Sequence, residues 1–305
     1  MRIIKPSFEI WDQEEGLEGV YKQIERAGRV CYKSEDKITE GSAKEFVERM
    51  IKSGHGAMIE HGTVYLTMQY GGPSRKESDA IEKYTKNKYS KCNQDTDSRY
   101  YITTNLRVLV ENDWMDDLKY LCEPTEFHEK RVCVRFICDR GVSHEFVRHR
   151  VFSFAQESTR YCNYSKDKFQ GVTYIQPPWL DGDISNEDGS KFYDVYTDVY
   201  LHTLTTAENA YLDLLKQWDE KVPDKRFKSG YKNNPWTPQQ ARAVLPNSLK
   251  TELVMTGFTK DWEHFFKLRD AGSAHPQARE LAHPLHMEFL RRGYITDLYN
   301  EANPD

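Results

Sequence analysis

A short stretch of the sequence, from Arg148 to Tyr161, is dense in side chains that bind anions. It holds three arginines, Arg148, Arg150 and Arg160, and Ser158 stands two residues before the last of them. Arginine stays charged at any working pH and contacts phosphate or carboxylate through two N–H groups at once, and a serine hydroxyl adds a further donor. These residue types at this spacing predict a site for a phosphorylated or otherwise anionic ligand. The alternative is a charged surface loop closed by internal salt bridges, which is what most charge clusters are.

Two predicted elements bring this anion-binding stretch into position. Residues 130–139 (KRVCVRFICD) alternate well enough to predict a strand, with Val132 and Val134 on one face. Ser143 is the predicted N-cap of a short helix that ends at Arg148. We therefore expect the stretch to leave the end of a helix and continue as a loop, where binding residues often lie on a rigid scaffold.

The rest of the chain is predicted to be mainly helical, with a few strands. Apolar residues spaced three and four apart indicate helices, and β-branched and aromatic runs indicate strands. Helices are predicted at residues 14–28, 42–53, 105–121, 190–220, 260–270 and 277–292, and strands at residues 63–70, 130–139 and 251–257. A short helix is expected to begin at Thr237-Pro238 and to contain Arg242, and Thr259 is expected to cap the helix at 260–270. Proline costs about 3 kcal/mol or more inside a helix, so we expect a kink or a break at Pro284.

The order of these elements predicts an α+β fold. Helices outnumber strands, and long excursions separate the strands. We interpret residues 1–305 as a single domain and segment 71–130 as an inserted hairpin or excursion, because its first part is rich in Gly, Ser, Lys, Asp and Asn.

Composition argues against several classes of protein. Of the 305 residues, 38% are hydrophobic and 30% are charged, and no apolar run is long enough to span a bilayer. The net charge of -5 argues against a general nucleic-acid binder, which would usually be basic. The start of the sequence lacks a secretory pattern, and the six cysteines are scattered without a CxxC pair. We therefore expect a cytoplasmic protein (in the host cytoplasm if the chain is viral) with reduced thiols and no metal, DNA, RNA or membrane partner.

The spacing within the anion-binding stretch also matches a known pattern. Arg148-His149-Arg150, followed by seven residues and Ser158, resembles the signature of the flavin-dependent thymidylate synthases. Further similar segments follow in the family's order. They are His55 ahead of the strand at 63–70, ARAVLP at 241–246, HFFKLR at 264–269 and HPQ at 275–277. The chain departs from the family pattern at Cys31, Ala155 and residues 258–260.

The resemblance implies an activity, cofactors and partners. The family methylates dUMP to dTMP, taking the methylene group of methylenetetrahydrofolate and a hydride from reduced FAD, which NADPH re-reduces. Its members are homotetramers whose active sites are shared between subunits. For this chain the resemblance implies an FAD-dependent methyltransferase with a mixed or antiparallel sheet flanked by long helices. The implied partners are dUMP, the folate and further copies of the chain.

The resemblance also implies roles for individual residues. Arg269 would be the catalytic residue. The residues implied in dUMP binding are Glu145, Arg148, Gln156, Ser158, Arg160 and Arg242. The residues implied in FAD binding are His55, Arg148, His149, Arg150, Lys260, His264 and His275.

The chemistry of uracil is consistent with a catalytic arginine. Carbon 5 becomes nucleophilic as negative charge builds on N3 and the carbonyl oxygens. A fixed guanidinium such as Arg269 favours this N3-deprotonated form. Ser158 has no base beside it in sequence, so we interpret it as a phosphate or sugar ligand and not as a nucleophile.

Simpler interpretations of single residues stay open. His55 lies between two glycines and could belong to an ordinary tight turn. Arg242 and Arg269 could each pair with a surface carboxylate, and His275 could be only a turn residue before a proline. For the whole protein, the alternative is a catalytically inactive homologue that binds FAD or a nucleotide.

Overall fold

The computed structural model describes residues 1–70, 75–180, 194–216 and 235–296, in which helices cover three β-sheets. The helices are α1 (Gly16–Tyr32), α2 (Ser42–Lys52), α3 (Gly56–Ile59), α4 (Arg75–Thr85), α5 (Leu106–Glu111), α6 (Arg140–Phe146), α7 (Val195–Leu215), α8 (Pro238–Ala241), α9 (Thr259–Arg269) and α10 (Pro276–Arg291). The strands are β1 (Arg2–Ile4), β2 (Ser7–Trp11), β3 (Thr63–Gln69), β4 (Lys91–Gln94), β5 (Arg99–Asn105), β6 (Arg131–Asp139), β7 (Ser153–Gln156), β8 (Thr173–Ile175) and β9 (Lys250–Phe258). Short 3₁₀ turns lie at Glu35–Lys37, Met115–Tyr120, Asp167–Phe169 and Arg242–Val244. The predicted α+β class is confirmed.

The largest sheet is antiparallel, with four described strands in the order β2-β6-β9-β7. Side chains alternate between its two faces, as the period of a strand requires. On one face Val134 pairs with Met255 and Phe136 with Leu253, and these side chains are fully buried against α6, α9 and α10. Trp262 of α9 fills the same core and donates its indole N–H to a backbone carbonyl of β6 at 3.2 Å. Each fully buried side chain of this size contributes about 1.5–3 kcal/mol to folding.

Helix α1 lies between this sheet and a second one. Its residues Ala27 and Val30 pack on the other face of the four-stranded sheet, against β6 and β9. One to two turns earlier, Val20 and Ile24 enter the core of the antiparallel sheet β3-β5-β4, together with α2, α4 and α5. One helix therefore contributes to two cores.

A parallel pair of strands, β1 and β8, forms the third sheet. Helix α7 covers this pair through Leu204 and Tyr211, both of which are buried. Across the described ranges, no helix combines the length and the apolar character that crossing a membrane would need.

Most predicted elements are confirmed. The helices predicted at 14–28, 42–53, 260–270 and 277–292 are α1, α2, α9 and α10, and the three predicted strands are β3, β6 and β9. The helix predicted at 190–220 is α7 where it is described, while residues 190–193 and 217–220 lie outside the described residues. The short helix at Thr237 begins as predicted, because the Thr237 hydroxyl and backbone N–H both donate to the side-chain oxygen of Gln240, at 2.9 Å.

The predicted boundaries around the anion-binding stretch are wrong. Helix α6 begins at Arg140, because the Asp139 carboxylate accepts the N–H of Val142 at 2.8 Å and so acts as the N-cap instead of Ser143. The chain after α6 is not a loop throughout, since residues Ser153–Gln156 form β7 and pair with β9.

Two other helix boundaries differ from prediction. Thr259 is the first residue of α9 and not its cap, and the carboxylate of Asp261 accepts the N–H of Phe258 at 3.2 Å. Helix α10 continues through Pro284, so the predicted break is absent, while a kink there stays a prediction. Pro284 lies on the exposed face, where water can hydrate the carbonyl that loses its partner, and the next residue, Leu285, is fully buried in the core.

Segment 71–130 contains the predicted hairpin, formed by β4 and β5. The hairpin is integrated into the fold, because β5 pairs with β3 over the whole length of both strands. The helix predicted at 105–121 is split: α5 ends at Glu111, and Asp113 has a φ of +58°, in the left-handed region that stops a helix. That the segment is an insertion and that the chain is one domain both stay predictions.

Candidate active site

Helix α6 carries Glu145 to the candidate site and is fixed at its start by one carboxylate. One oxygen of Asp139 caps the helix through the Val142 N–H, and the other accepts the side-chain amide of Gln277 at 2.7 Å. Burial raises the pKa of the Asp139 carboxyl, and the backbone N–H groups that it accepts oppose this rise. Because Gln277 is the second residue of α10, the bond holds the start of α10, with His275 beside it, against the start of α6.

Arg269, at the end of α9, is held by residues more than a hundred positions earlier in the chain. Its Nη1 donates to the carboxylate of Glu145 at 2.6 Å, and its Nη2 donates to the backbone carbonyl of the same residue at 2.8 Å. Its Nε donates to Nε2 of His149 at 3.1 Å. The position of the guanidinium is therefore set from three directions. We refer to Glu145, His149 and Arg269 as the Arg269 cluster.

Burial determines the protonation of this cluster. Desolvation, followed by repulsion from Arg269 and His264, lowers the pKa of His149 to about 4, so the imidazole is neutral at physiological pH. A neutral Nε2 has a lone pair, which is why it can accept the Arg269 N–H. Burial also lowers the pKa of Arg269, while Glu145 opposes that change and Arg148 reinforces it. The guanidinium stays charged, because arginine begins from a pKa above about 12.

The three arginines of the anion-binding stretch have no carboxylate partner among the described residues. Arg148, Arg150 and Arg160 are exposed, and their side chains make no hydrogen bond or ion pair to any residue within the described ranges. The guanidinium of Arg160 lies over the ring of Tyr161, 5.5 Å from its centre. In the part of the chain that the structure describes, internal salt bridges therefore do not account for these arginines.

Arg242 lies beside the same stretch. Its Nη1 donates to the hydroxyl of Thr159 at 2.9 Å, between the predicted nucleotide ligands Ser158 and Arg160. A cleft of about 250 Å³ opens there, with Thr159, Arg242 and Arg140 in its wall. Three cationic or hydroxyl-bearing side chains around one cleft form a surface that favours an anion.

The backbone on either side of Ser158 is anchored to the sheet and to α1. The N–H of Ser158 donates to the carbonyl of Cys31 at 2.9 Å. The fully buried carboxylate of Glu157 accepts from the ammonium of Lys250 at 2.8 Å and from the hydroxyl of Tyr164 at 2.9 Å. An anion-binding segment held in this way has little freedom left to lose when a ligand binds.

The side chain of Gln156, which is predicted to contact dUMP, forms hydrogen bonds to other residues of the protein. Its amide nitrogen donates to the hydroxyl of Ser143 at 2.9 Å and to that of Thr251 at 3.2 Å. It joins β7 to α6 and β9 at the edge of the candidate site.

Only some of the residues implied in FAD binding lie close to one another. The rings of His149 and His264 lie 6.0 Å apart, and His275 lies 6.1 Å from the ring of Trp179. His55 is an exposed residue at the start of α3. Lys260 is exposed in the first turn of α9, about 13 Å along the helix axis from Arg269 at 1.5 Å per residue. Within the described part of the chain, neither His55 nor Lys260 contacts the Arg269 cluster.

Several contacts that shape the site were not predicted from the sequence. Gln277 belongs to the HPQ segment, and Thr159 and Arg140 stand near residues that the motifs picked out, but nothing local indicates their partners. At Gly257 an added Cβ would lie 2.6 Å from the ring of Phe152, so the glycine allows this ring of the anion-binding stretch to lie directly on β9.

The cysteines do not offer a nucleophile. All six are free thiols. Burial raises the pKa of Cys31, Cys92 and Cys133 to about 11, and that of Cys162 to about 12, so these side chains stay protonated. In the described ranges, no three His, Cys, Asp or Glu side chains are grouped so as to hold a metal ion.

Comparison with known protein families identifies the family to which the chain belongs. Residues 123–291, more than half of the chain, match the family described as thymidylate synthase complementing protein. The chain belongs to this family. The predicted resemblance is thereby confirmed, and the matched region contains the Arg269 cluster, the anion-binding stretch and Arg242.

The chain is also similar to individual proteins. The chain is 23% identical over 278 residues to a flavin-dependent thymidylate synthase of Corynebacterium glutamicum, covering 90% of this chain and 76% of the relative. It is 31% identical over 153 residues to a flavin-dependent thymidylate synthase of Mycobacterium avium, covering 50% of this chain and 53% of that protein. A solved structure of the UMP/dUMP methylase PolB from Streptomyces cacaoi, bound with 5-Br dUMP, aligns over 95% of this chain and 93% of its own, with 17% identity and a TM-score of 0.41.

Proposed function

We propose that this chain is a flavin-dependent thymidylate synthase. It would methylate dUMP to dTMP with methylenetetrahydrofolate as carbon donor and FAD, reduced by NADPH, as hydride donor. The observation that carries the proposal is the Arg269 cluster, a positioned cation next to a stretch whose arginines lack carboxylate partners among the described residues. Membership of the family and the names of the relatives support the same activity.

Binding of the nucleotide would fall to the anion-binding stretch. Arg148, Ser158 and Arg160 would hold the phosphate and the sugar, because exposed guanidinium groups give bidentate contacts to phosphate oxygens. Arg242 would face the pyrimidine from the cleft beside Thr159. Glu145 and Gln156 would lie at the edge of the nucleotide, where both already orient neighbouring side chains.

Arg269 would act on the charge of the pyrimidine ring. Negative charge on N3 and the adjacent oxygens makes carbon 5 nucleophilic, and a nearby guanidinium stabilises that charge. Glu145 and His149 hold the guanidinium before the substrate arrives, so little reorganisation is required of it. A preorganised contact of this kind contributes a few kcal/mol, or about a hundredfold or more in rate.

The residues present fit a flavin dinucleotide. Arg148 and Arg150 are exposed cations without carboxylate partners in the described ranges, which suits the two phosphates of the cofactor. His149 and His264 add ring nitrogens beside them. When bound, the flavin supplies the hydride, and the protein supplies position and charge. The residues that would hold it are His55, Arg148, His149, Arg150, Lys260, His264 and His275.

Self-association would complete the site. His55 and Lys260 do not contact the Arg269 cluster within one described chain, so a second copy would have to bring them to the same flavin. We propose a cytoplasmic homotetramer with shared sites, in which each active site draws residues from more than one protomer.

Tritium release from dUMP labelled at carbon 5 tests the proposed activity. We expect the purified protein to be yellow and to release tritium to water only when methylenetetrahydrofolate and NADPH are both present. The Arg269→Ala variant is the matched control and should keep the yellow colour without release. A wild-type protein that binds FAD and dUMP but releases no tritium under reducing conditions would be the inactive homologue instead.

A further inference from the structure

Asp270 is a buried carboxylate next to the proposed catalytic residue. It follows Arg269 directly in the chain, and its side chain is 1% exposed. Its backbone N–H closes the last turn of α9 by donating to the carbonyl of Phe266 at 2.9 Å. Burial of a carboxylate is costly unless hydrogen-bond donors surround it. Helix α10 supplies donors to Asp270.

Three side chains of α10 converge on Asp270. Nδ1 of His283 lies 2.9 Å from one carboxylate oxygen, and Nδ1 of His286 lies 2.8 Å from the other. An ionised carboxylate can only accept, so both imidazoles donate from Nδ1. The Nε of Arg279 donates to the backbone carbonyl of Asp270 at 3.1 Å and lies 3.5 Å from the carboxylate. Because these donors are four and three positions apart, they share one face of α10, and that face holds the end of α9.

His286 is itself fixed in place. It is 1% exposed, and its ring stacks on that of Phe266, with the ring centres 4.6 Å apart and an angle of 14° between the planes. Phe266 lies about one turn before Asp270 and is buried in the core beneath the four-stranded sheet. The imidazole is therefore held by α9 at two points. Such a buried and stacked partner differs from the adaptable side chains of a surface ion pair.

The polar contacts close three helices into a ring. Arg269 of α9 donates to Glu145 of α6 at 2.6 Å. The next residue, Asp270, accepts from α10, and Gln277 of α10 donates to Asp139 at the start of α6. Two neighbouring residues at the end of α9 are thus held from different sides, one by α6 and the other by α10. A catalytic side chain is directed accurately only when the groups around it are locked in this way.

From this ring we propose that Asp270 is a positioning residue, which fixes the backbone from which the Arg269 guanidinium reaches the pyrimidine. It acts through Arg269, an assignment that rests on the catalytic role proposed above for that residue. The alternative is a carboxylate that only stabilises the packing of α9 against α10. Loss of a positioning residue lowers the turnover of the folded enzyme, whereas loss of a packing contact lowers only the free energy of unfolding.

Steady-state tritium release from dUMP by the full chain separates the two roles. Asp270→Ala should lower kcat roughly tenfold or more and leave the KM for dUMP unchanged, because a small displacement of a catalytic group suffices for such a loss. Asp270→Asn should restore most of kcat, since its amide can pair with both imidazoles once one of them moves its proton to the other ring nitrogen. The double variant Arg279→Ala with His283→Ala removes two donors whose side chains are 48% and 52% exposed. It should lose part of kcat, and it keeps the test decisive if Asp270→Ala fails to fold.

Phe289→Leu is the matched control for a general loosening of α10. The ring of Phe289 joins α10 to α9 through the rings of Trp262 and Phe266, at 5.3 and 5.1 Å between centres. This variant should lower the urea midpoint of unfolding, as Asp270→Ala does, and leave kcat unchanged. If it lowered kcat as much as Asp270→Ala, loose packing would explain the loss and the positioning role would be wrong.

A double variant tests whether Asp270 acts through Arg269. In a chain that carries Arg269→Lys, the three-way positioning is already lost, so adding Asp270→Ala should lower kcat little further. A loss by the same factor in both backgrounds would mean that Asp270 acts by another route, and would overturn the assignment.

Modification by phenylglyoxal reports the position of Arg269 without any turnover. The side chain of Arg269 is 15% exposed and hydrogen-bonded, so it should react more slowly than the exposed Arg148 and Arg150, which serve as references in the same peptide digest. Asp270→Ala should raise the rate at Arg269 severalfold, and Asp270→Asn should not. If the wild-type chain released no tritium, the proposed activity would fail while this rate still tested the positioning. An Arg269 that reacts no faster in Asp270→Ala than in wild type would overturn the assignment.

Discussion

Arg269 and Arg160 are both arginines of the candidate active site, but their surroundings differ. The side chain of Arg269 is 15% exposed and is held by Glu145 and His149. Arg160 is exposed, and its guanidinium lies over the ring of Tyr161. A cation held in one place suits charge stabilisation during a reaction, whereas an exposed and adaptable one suits capture of a phosphate.

Replacing the two arginines separately should therefore have different kinetic effects. Arg269→Ala should retain FAD and lower kcat by about a hundredfold or more. Arg160→Ala should mainly raise the KM for dUMP, by roughly tenfold to a hundredfold for a lost charge-assisted bond. Steady-state kinetics of tritium release would measure both, with Arg269→Lys as a variant that keeps the charge but not the three-way positioning. Wild-type kinetics in both alanine variants would show that the roles are misassigned.

Two buried histidines should make stability depend on pH. Burial lowers the pKa of His61 to about 3 and that of His149 to about 4, whereas an unfolded histidine titrates near about 6.5. The unfolded chain therefore binds more protons than the folded chain between those values. Their contribution to stability is complete above about pH 6.5 and is lost as the pH falls toward 4 and 3.

Urea unfolding at about pH 7.5 and about pH 5 would measure this loss, and the free energy of unfolding should be lower at the acidic pH. His61→Gln should weaken that pH dependence. His144→Gln is the control, because His144 is exposed and its loss should leave the dependence unchanged. An equal dependence in wild type and His61→Gln would contradict the prediction for His61.

The element that positions the Arg269 cluster is α6, a helix of seven residues. A helix this short gains little from its own backbone and relies on caps and packing. Asp139 supplies the cap and also receives Gln277 from α10, so one carboxylate sets the start of two helices. Glu145 lies at the other end of α6, and its position depends on that start.

Asp139→Ala should lower the free energy of unfolding by about 1 kcal/mol for the lost cap, and further for the lost bond to Gln277. Asp139→Asn, which keeps a side-chain oxygen for the Val142 N–H, should lose less. Both are measured by urea unfolding at neutral pH. Ser143→Ala should cost less than Asp139→Ala; the reverse order would place the cap at Ser143, as the sequence alone had indicated.

At the scale of the whole molecule, His55 and Lys260 bear on how the protein assembles, because they lie apart from the other residues implied in FAD binding. His55 and Lys260 share implied roles with His149 and Arg150 but do not contact the Arg269 cluster in the described part of one chain. Either they do not contact the flavin, or another protomer brings them to it. A closed oligomer with sites between subunits is the arrangement that would reconcile the implied set with the contacts seen within one chain.

Mixing two inactive variants separates these possibilities. If sites are shared, Arg269→Ala and His55→Ala should each be inactive alone and regain measurable tritium release after subunit exchange, because some sites then draw both wild-type residues. Light scattering after size-exclusion chromatography would establish the assembly, with four copies expected. Wild-type release by His55→Ala alone would show that His55 does not contact the flavin, and mixed assemblies without any recovery would contradict shared sites.

The sequence by itself determined the class of fold, most elements and the family. Periodicity is a local property, so α1, α2, α9, β3, β6 and β9 could be predicted from the spacing of apolar residues. The motif around Arg148 is local as well, and it indicated an anion site and a resemblance that the family match confirms.

Only the tertiary structure decided which residues meet. Glu145 and His149 lie more than a hundred residues before Arg269, and their contact depends on how α6 and α9 pack on the sheet. The local sequence also could not determine that Asp139, and not Ser143, caps α6, because both residue types cap helices well. The bond from Gln277 to Asp139 depends on where α10 lies. Burial lowers the pKa of His149, and a pattern of residue types does not report how completely a side chain will be enclosed.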